Sequence, residues 1–366
     1  MQMKQKLTAL ALCLLVVGCS STNPHLSKIE KINANASYNK SRTMDNFNDY
    51  VQFLKGKAAA QGVSMSTLTA QNNIYYISKA VDLDRQQAGR IKKRDPNEPP
   101  RANPNGTTNY LNRVLTDNKV NIAAERYWEV KSQLEKASQR YGVQKEYLLA
   151  LWGMESSFGH YQGRYDVLSV LATLAFDGRR EALFSKEFVN ALKMLDRDHI
   201  SRAKMLGSWA GAMGQTQFMP SAFLNYAADG SGDGVKDIWQ NPYDVFASIA
   251  NYLHTVGWND KLPWGVEVSL TQPIDLALSG IEKNKARSLT DWQARGIILR
   301  NASLLDQQKL SALSQADLWL VRPDREADRA FLVSNNFRTI LDWNKSNYFA
   351  VSIGMFADRI KQATGM

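Results

Sequence analysis

An unbroken apolar run, Tyr147 to Met154, ends in a single carboxylate, Glu155. A helix made from this stretch is apolar on every side, so it has to be buried, and the rest of the chain must supply its walls. Glu155 falls on the same helical stripe as Leu148, Leu151 and Trp152, seven, four and three positions back. Apolar walls deprive a carboxylate of hydration, which raises its pKa toward neutrality, as a general acid requires. The competing reading is a carboxylate that merely ends the buried run and turns to solvent beside Ser156 and Ser157. Arg164, nine positions on, could fold back and pair with Glu155, which would reverse the shift.

Residues 1–18 read as an export signal: Lys4 and Lys6, then the apolar stretch Leu7 to Val17, then Gly18-Cys19. The apolar stretch is short for a permanent membrane span. Val16-Val17-Gly18-Cys19 resembles a bacterial lipoprotein signal, in which Cys19 is acylated and becomes the new N-terminus. Ser20, rather than aspartate, then implies an outer-membrane destination in a Gram-negative cell. An ordinary signal peptide with a chance cysteine is the alternative. The only cysteines are Cys13 and Cys19. The mature globular part therefore has no disulfide, no thiol nucleophile and no cysteine-ligated metal. The formal charge of +10 falls to about +8 once Lys4 and Lys6 leave, a surplus suited to an anionic polymer or surface. No basic block interleaves with aromatics and no nucleic-acid motif is present, so the partner is read as a cell-envelope component rather than nucleic acid.

The patterning predicts a mostly α (α+β) chain. Residues 19–43 are rich in Ser, Asn and Lys and read as a tether. Helical periodicity from Met44 (Phe47, Tyr50, Val51, Leu54), and again from Tyr110, marks a helical N-terminal lobe over 44–135. The proline-bearing run Arg90 to Thr108 interrupts it as a surface loop. A central segment with the greasy helix is placed at 136–258. A small strand-bearing lobe follows at 259–335, on the short apolar stretches Val266 to Leu270 and Leu318 to Arg322, with Gly296 to Asn301 less clear. Helices at 336–366 are expected to pack back on the core.

The densest signature is 207–220, Gly-Ser-Trp-Ala-Gly-Ala-Met-Gly-Gln-Thr-Gln-Phe-Met-Pro. Its glycines and alanines permit close backbone approach by a ligand or a neighbouring chain. Gln215 and Gln217, with Ser208, set hydrogen-bonding groups among apolar ones, as recognition of hydroxyls and amides requires. A tight helix–helix crossing would explain the small residues but not the glutamines.

Glu-Ser-Ser-Phe-Gly after a buried helix, followed by this signature and Ser221, resembles the membrane-bound lytic murein transglycosylase B family. The resemblance runs from about Tyr110 to the C-terminus and is strongest from Tyr141 to Trp258. It implies that 136–258 is a lysozyme-like helical catalytic core with an EF-hand-like loop, joined by an additional helical lobe and a small strand-containing lobe. It further implies cleavage of the MurNAc–GlcNAc β-1,4 bond of peptidoglycan glycan strands with 1,6-anhydro-MurNAc ends, and Glu155 as the single acid/base. The usual glycosidase pair of carboxylates is then not needed, although Asp166 and Asp177 lie nearby in sequence. By the same resemblance Tyr110, Ser208, Gln217 and Asn344 handle substrate. Thr216 stands where glycine is common. The cleft aromatic after Asn344 is either Tyr348 or Phe349. Cell-wall synthesis or division proteins are the protein partners to look for, alongside a membrane reached through Cys19. A hydrolytic muramidase and a non-catalytic peptidoglycan-binding lipoprotein stand as the alternatives.

Asp229-Gly-Ser-Gly-Asp-Gly-Val follows EF-hand logic: Asp229, Ser231 and Asp233 at positions one, three and five, glycine at six, and the Val235 carbonyl at seven. Ser231 is a poorer ligand than aspartate, and position twelve is Gln240 rather than glutamate. The family's longer loop makes Asp244 the closing acid. The expectation is a structural Ca2+ and no organic cofactor; a glycine-rich surface turn is the alternative.

Overall fold

In a computed structural model, the described residues are 45–90, 106–198, 200–301, 307–325 and 329–366. The export signal, Cys19, the tether and nearly all of the proline-bearing loop therefore lie outside them. Fifteen α-helices are formed by the described residues: α1 Phe47–Ala60, α2 Met65–Ala70, α3 Ser78–Arg90, α4 Thr107–Val114, α5 Asp117–Glu129, α6 Lys131–Tyr141, α7 Lys145–Ser156, α8 Val167–Asp177, α9 Glu181–Arg197, α10 Pro220–Tyr226, α11 Pro242–Thr255, α12 Leu289–Ala294, α13 Gln307–Gln315, α14 Asn335–Trp343 and α15 Asn347–Thr364. Six strands accompany them: β1 Tyr165–Asp166, β2 Leu206–Gly207, β3 Gly265–Leu270, β4 Ile297–Leu299, β5 Trp319–Val321 and β6 Ala330–Val333. The chain is mostly helical with small antiparallel sheets, as expected. Among the described residues no helix is long and apolar enough to cross a membrane.

Local chemistry sets the element ends. Side chains of Asn46, Thr116, Asp166, Asn241 and Ser346 accept first-turn N–H groups of α1, α5, α8, α11 and α15. Pro242 opens α11 without loss, because its missing N–H would have had no helical partner. The pattern from Tyr110 to Tyr141 is three helices rather than one, since Thr116 caps a new start and Val130 sits between α5 and α6 outside helical geometry.

Among the described residues three apolar clusters form, and they do not follow the chain segments in order. The first joins α4–α7, α11, α14 and α15. The second packs α1–α3 against α8, α9 and the 205–239 stretch. Residues 44–135 are thus divided between two clusters, and so are residues 136–258. Helix α8 is buried from Val167 to Ala175, and each large aliphatic side chain there contributes about 1.5–3 kcal/mol.

The third cluster lies under a four-stranded antiparallel sheet of order β4-β3-β6-β5. Alternation along the strands covers both faces: Leu320, Ala330 and Leu332 face this cluster, while Trp319, Val321, Phe331 and Val333 face the first. The short stretch Ala330–Val333, which the sequence pattern did not single out, is an inner strand. Arg329 next to it pairs with Glu267 of β3.

Candidate active site

Helix α7 delivers Glu155 one residue before its end. Ser157 and Phe158 then take left-handed backbone, with φ of 48° and 60°, so the chain reverses at once. For a bulky residue like phenylalanine this conformation is strained. Packing holds it: the Phe158 ring lies 5.4 Å from that of Trp152. It also fills the space where a Cβ on Gly153 would sit, 2.6 Å from Phe158 Cε1. The glycine inside the greasy run is there to admit this ring. The returning loop then crosses the 207–218 segment so closely that a Cβ on Gly163, itself at φ +88°, would sit 2.0 Å from the Gly207 carbonyl carbon.

Residues 207–218 are an irregular β-bridged loop, with pairings Gly207–Met213 and Met213–Phe218. The helix-crossing alternative for this signature is thereby overturned. Gln215 also departs from expectation. It turns inward, accepts the Trp152 indole N–H at 2.7 Å and donates to the Trp239 carbonyl at 2.8 Å. Its amide locks the loop to α7 instead of reaching a ligand. Gln217, at φ 51°, donates through Nε2 to the Gly214 and Gln162 carbonyls, which leaves Oε1 for a ligand. Ser208 accepts the N–H groups of Ala210 and Ala212, so its hydroxyl proton faces no demand from those bonds.

Glu155 itself is half-buried. Its pKa is pushed up to about 7, chiefly because burial disfavours the charged form, against an opposing hydrogen bond from Trp343. That bond runs from the indole Nε1 to Oε1 at 2.7 Å. Arg164 is exposed and is not among the causes of the shift. Asp166 and Asp177 are both engaged elsewhere: Asp166 caps α8 and pairs with Arg202, and Asp177 pairs with Arg85.

Tyr110, on α4, comes close enough for the Glu155 charge to help raise its phenol pKa, burial being the larger cause. Its ring lies 5.7 Å from that of Tyr348. Phe349 is 8 % exposed and belongs to the first apolar cluster, so its place is in the core and Tyr348 lines the aromatic wall. Asn344 is exposed at the end of α14, directly after Trp343.

Two contributors escaped the sequence reading. Trp343 touches the carboxyl directly; its only signal was its position beside Asn344. Asp324 accepts the Thr107 N–H and hydroxyl, both at 2.6 Å, and the Tyr348 hydroxyl. It caps α4 from a distant loop and so holds both tyrosines of the wall; nothing in its sequence neighbourhood points to that.

At the second predicted site, Asp229, Asp233 and Asp244 bring one carboxylate oxygen each to within 4.8 Å of one another. Asp244, fully buried at the start of α11, accepts the N–H groups of Gly230, Ser231 and Asp237. Its pKa is raised by burial and by the Asp229 charge, against those hydrogen bonds. Asp229 accepts from Ser231, Gly232 and Gly234, and Val235 is exposed. Crowded like charges of this kind fit a hard cation. Gln240 is exposed and its N–H is tied to Asp237.

The transglycosylase SLT domain matches residues 46–358. The membrane-bound lytic murein transglycosylase B of Escherichia coli K12 is 32 % identical over 267 residues, 72 % of this chain and 70 % of that protein. Among solved structures, Pseudomonas aeruginosa SltB3 in complex with NAG-anhNAM-pentapeptide superposes with a TM-score of 0.75 at 34 % identity, covering 87 % of this chain and 80 % of that one. The Escherichia coli lytic transglycosylase Slt35 in complex with calcium gives 0.67 at 26 % identity, covering 87 % and 94 %. With the greasy helix, its terminal carboxyl and the bridged loop in place, the chain belongs to the lytic murein transglycosylase B family of peptidoglycan-cleaving lyases.

Proposed function

We propose that Glu155 alone supplies and removes the catalytic proton, cleaving the MurNAc–GlcNAc β-1,4 bond and leaving 1,6-anhydro-MurNAc ends. The protonated carboxyl gives its proton to the glycosidic oxygen as the C1–O bond breaks. The resulting carboxylate then takes the proton of the C6 hydroxyl as that oxygen bonds to C1. A group asked to do both needs a pKa near working pH, and about 7 meets that need. The observation that carries the reading is the placement of Glu155 at the end of the buried helix with the Trp343 indole on one carboxyl oxygen. The commitment of Asp166 and Asp177 to arginines supports a single-carboxylate route over the two-carboxylate one. The SltB3 complex with an anhydro-sugar peptide is in keeping with it. Tyr110, Ser208, Gln217, Tyr348 and Asn344 would bind and orient the glycan.

The chain would hold Ca2+ through Asp229, Asp233, Asp244, Ser231 and the Val235 carbonyl, the Slt35–calcium complex being a precedent in a relative. The ion would offset two of the three carboxylate charges and clamp the loop to α11. Acylation at Cys19 would place the enzyme on the periplasmic face of the outer membrane.

Digestion of purified peptidoglycan followed by mass spectrometry tests the reaction. Released muropeptides should be one water lighter than their hydrolysed counterparts. Hydrated ends would assign the chain to the muramidases, and an absence of soluble product would leave only binding.

A further inference from the structure

We propose that Trp343 is a positioning residue whose indole N–H keeps Glu155 Oε1 permanently as an acceptor, so that both proton transfers run through Oε2. The inference rests on Glu155 being the acid/base of the reaction above. Its physical basis is that an indole nitrogen donates a hydrogen bond and cannot accept one. At 2.7 Å from Oε1, it is met best by a carbonyl-type oxygen, since a protonated carboxyl oxygen is the weaker acceptor. The acid form therefore favours its proton on Oε2. Oε2–H then goes to the glycosidic oxygen as C1–O breaks, and Oε2 recovers a proton from the C6 hydroxyl as the new C1–O bond forms, so the enzyme ends as it began.

The indole has little freedom to turn away. Its ring lies 5.3 Å from that of Phe218 in the bridged loop and 4.7 Å from that of Tyr252 on α11. Tyr252 donates its hydroxyl to the Asp342 carbonyl at 2.8 Å, tying α11 to the end of α14. Trp343 and Tyr252 each pack against both the first and the second apolar clusters. The donor thus sits at the seam of the molecule and meets a carboxyl delivered from α7. A tyrosine at the same place could accept as well as donate and would leave either oxygen free to carry the proton.

Titratable groups around this contact are Tyr110 from α4, Tyr252 from α11 and Asp342 from α14. Both tyrosines are pushed upward by burial, Tyr252 to about 12, so neither ionises near neutrality.

The direct test is the indole N–H spectrum of the 15N-labelled protein across pH, with the Trp343 signal assigned as the one missing in Trp343→Phe. It should move with a midpoint near 7 in the wild type and stay still in Glu155→Gln. Movement that persists in Glu155→Gln assigns it to another group and overturns the proposal, as does a signal that never moves. In kinetics, Trp343→Phe should lower kcat about tenfold with KM nearly held. Its Glu155 ionisation should shift upward by about one pH unit, because the carboxylate loses a charge-assisted donor. An unchanged pH profile in a folded Trp343→Phe overturns the proposal. Should that variant not fold, the wild-type Trp343 signal is assigned through its bonded connection to the backbone instead, and its titration, silenced in Glu155→Gln, decides alone. Retained turnover in Glu155→Gln would instead sink the assignment of the acid, while the spectral contact would remain.

Discussion

Replacing Glu155 by Gln should change stability in a pH-dependent way whose sign follows from burial. The folded carboxyl holds its proton up to about pH 7, against an ordinary value of 4.5. Below 4.5 folded and unfolded chains both carry the proton, so the group's contribution is fully present. Between 4.5 and about 7 the unfolded chain has lost its proton and the folded one retains it, so wild-type stability falls as pH rises. Above about 7 the folded chain must bear a desolvated charge and the loss is complete. At about 1.4 kcal/mol for each pH step, the full window is worth about 3 kcal/mol. Solvent reaching the half-buried side chain trims this, so a change of ~1–3 kcal/mol is expected. Glutamine keeps the shape and still accepts the Trp343 N–H, and it carries no charge at any pH. Urea unfolding of both proteins from pH 4 to pH 8 isolates the effect, since all other titrations cancel in the difference. The stability of Glu155→Gln relative to wild type should climb between pH 4.5 and 7 and then level. A flat or descending difference would refute the apolar-cleft account of this carboxyl. The same variant should lose roughly 10²-fold or more in turnover.

Further outcomes are open to measurement. Calcium should raise the melting temperature, by the equivalent of about 2.7 kcal/mol at a hundredfold excess over Kd; Asp233→Ala, at an exposed position, should abolish the rise, and equal melting in chelator and calcium would leave only a turn. Gln215→Leu should destabilise by about 2–5 kcal/mol in urea unfolding, because the Trp152 N–H and the Trp239 carbonyl both lose their buried partner. Asp324→Ala should cost about 1 kcal/mol for the lost cap on α4 and raise KM more than it lowers kcat; unchanged KM would remove Asp324 from the support of Tyr110 and Tyr348.

Local pattern settled a good deal of this protein. The apolar run from Tyr147 to Met154 pointed to a buried helix and so to a raised pKa for Glu155, but only the structure, with Arg164 exposed and absent from the causes of the shift, decided against the solvent-facing and Arg164-paired alternatives. Alternate spacing also suggested that Asp229, Ser231 and Asp233 turn oxygens to one side of a turn, and caps such as Asp166 and Asn241 are local in the same way, since their bonds reach only two or three residues. What the residues in sequence order could not reveal depends on contacts between segments far apart in the chain, from 24 to 217 positions. Gln215 and Gln217 are two residues apart in one signature, yet one is turned into the core by Trp152 and Trp239 and the other is left at the cleft. Tyr348 and Phe349 are adjacent, and the rotation of α15 against the first cluster sends one to the wall and the other inside. Asp324 reaches Thr107, and Trp343 reaches Glu155, because separate apolar clusters pack together and set donors from one segment against acceptors from another. Periodicity records which face of an element is buried; it holds no record of which distant side chain will meet that face, and here that meeting sets the Trp343 indole on the Glu155 carboxyl.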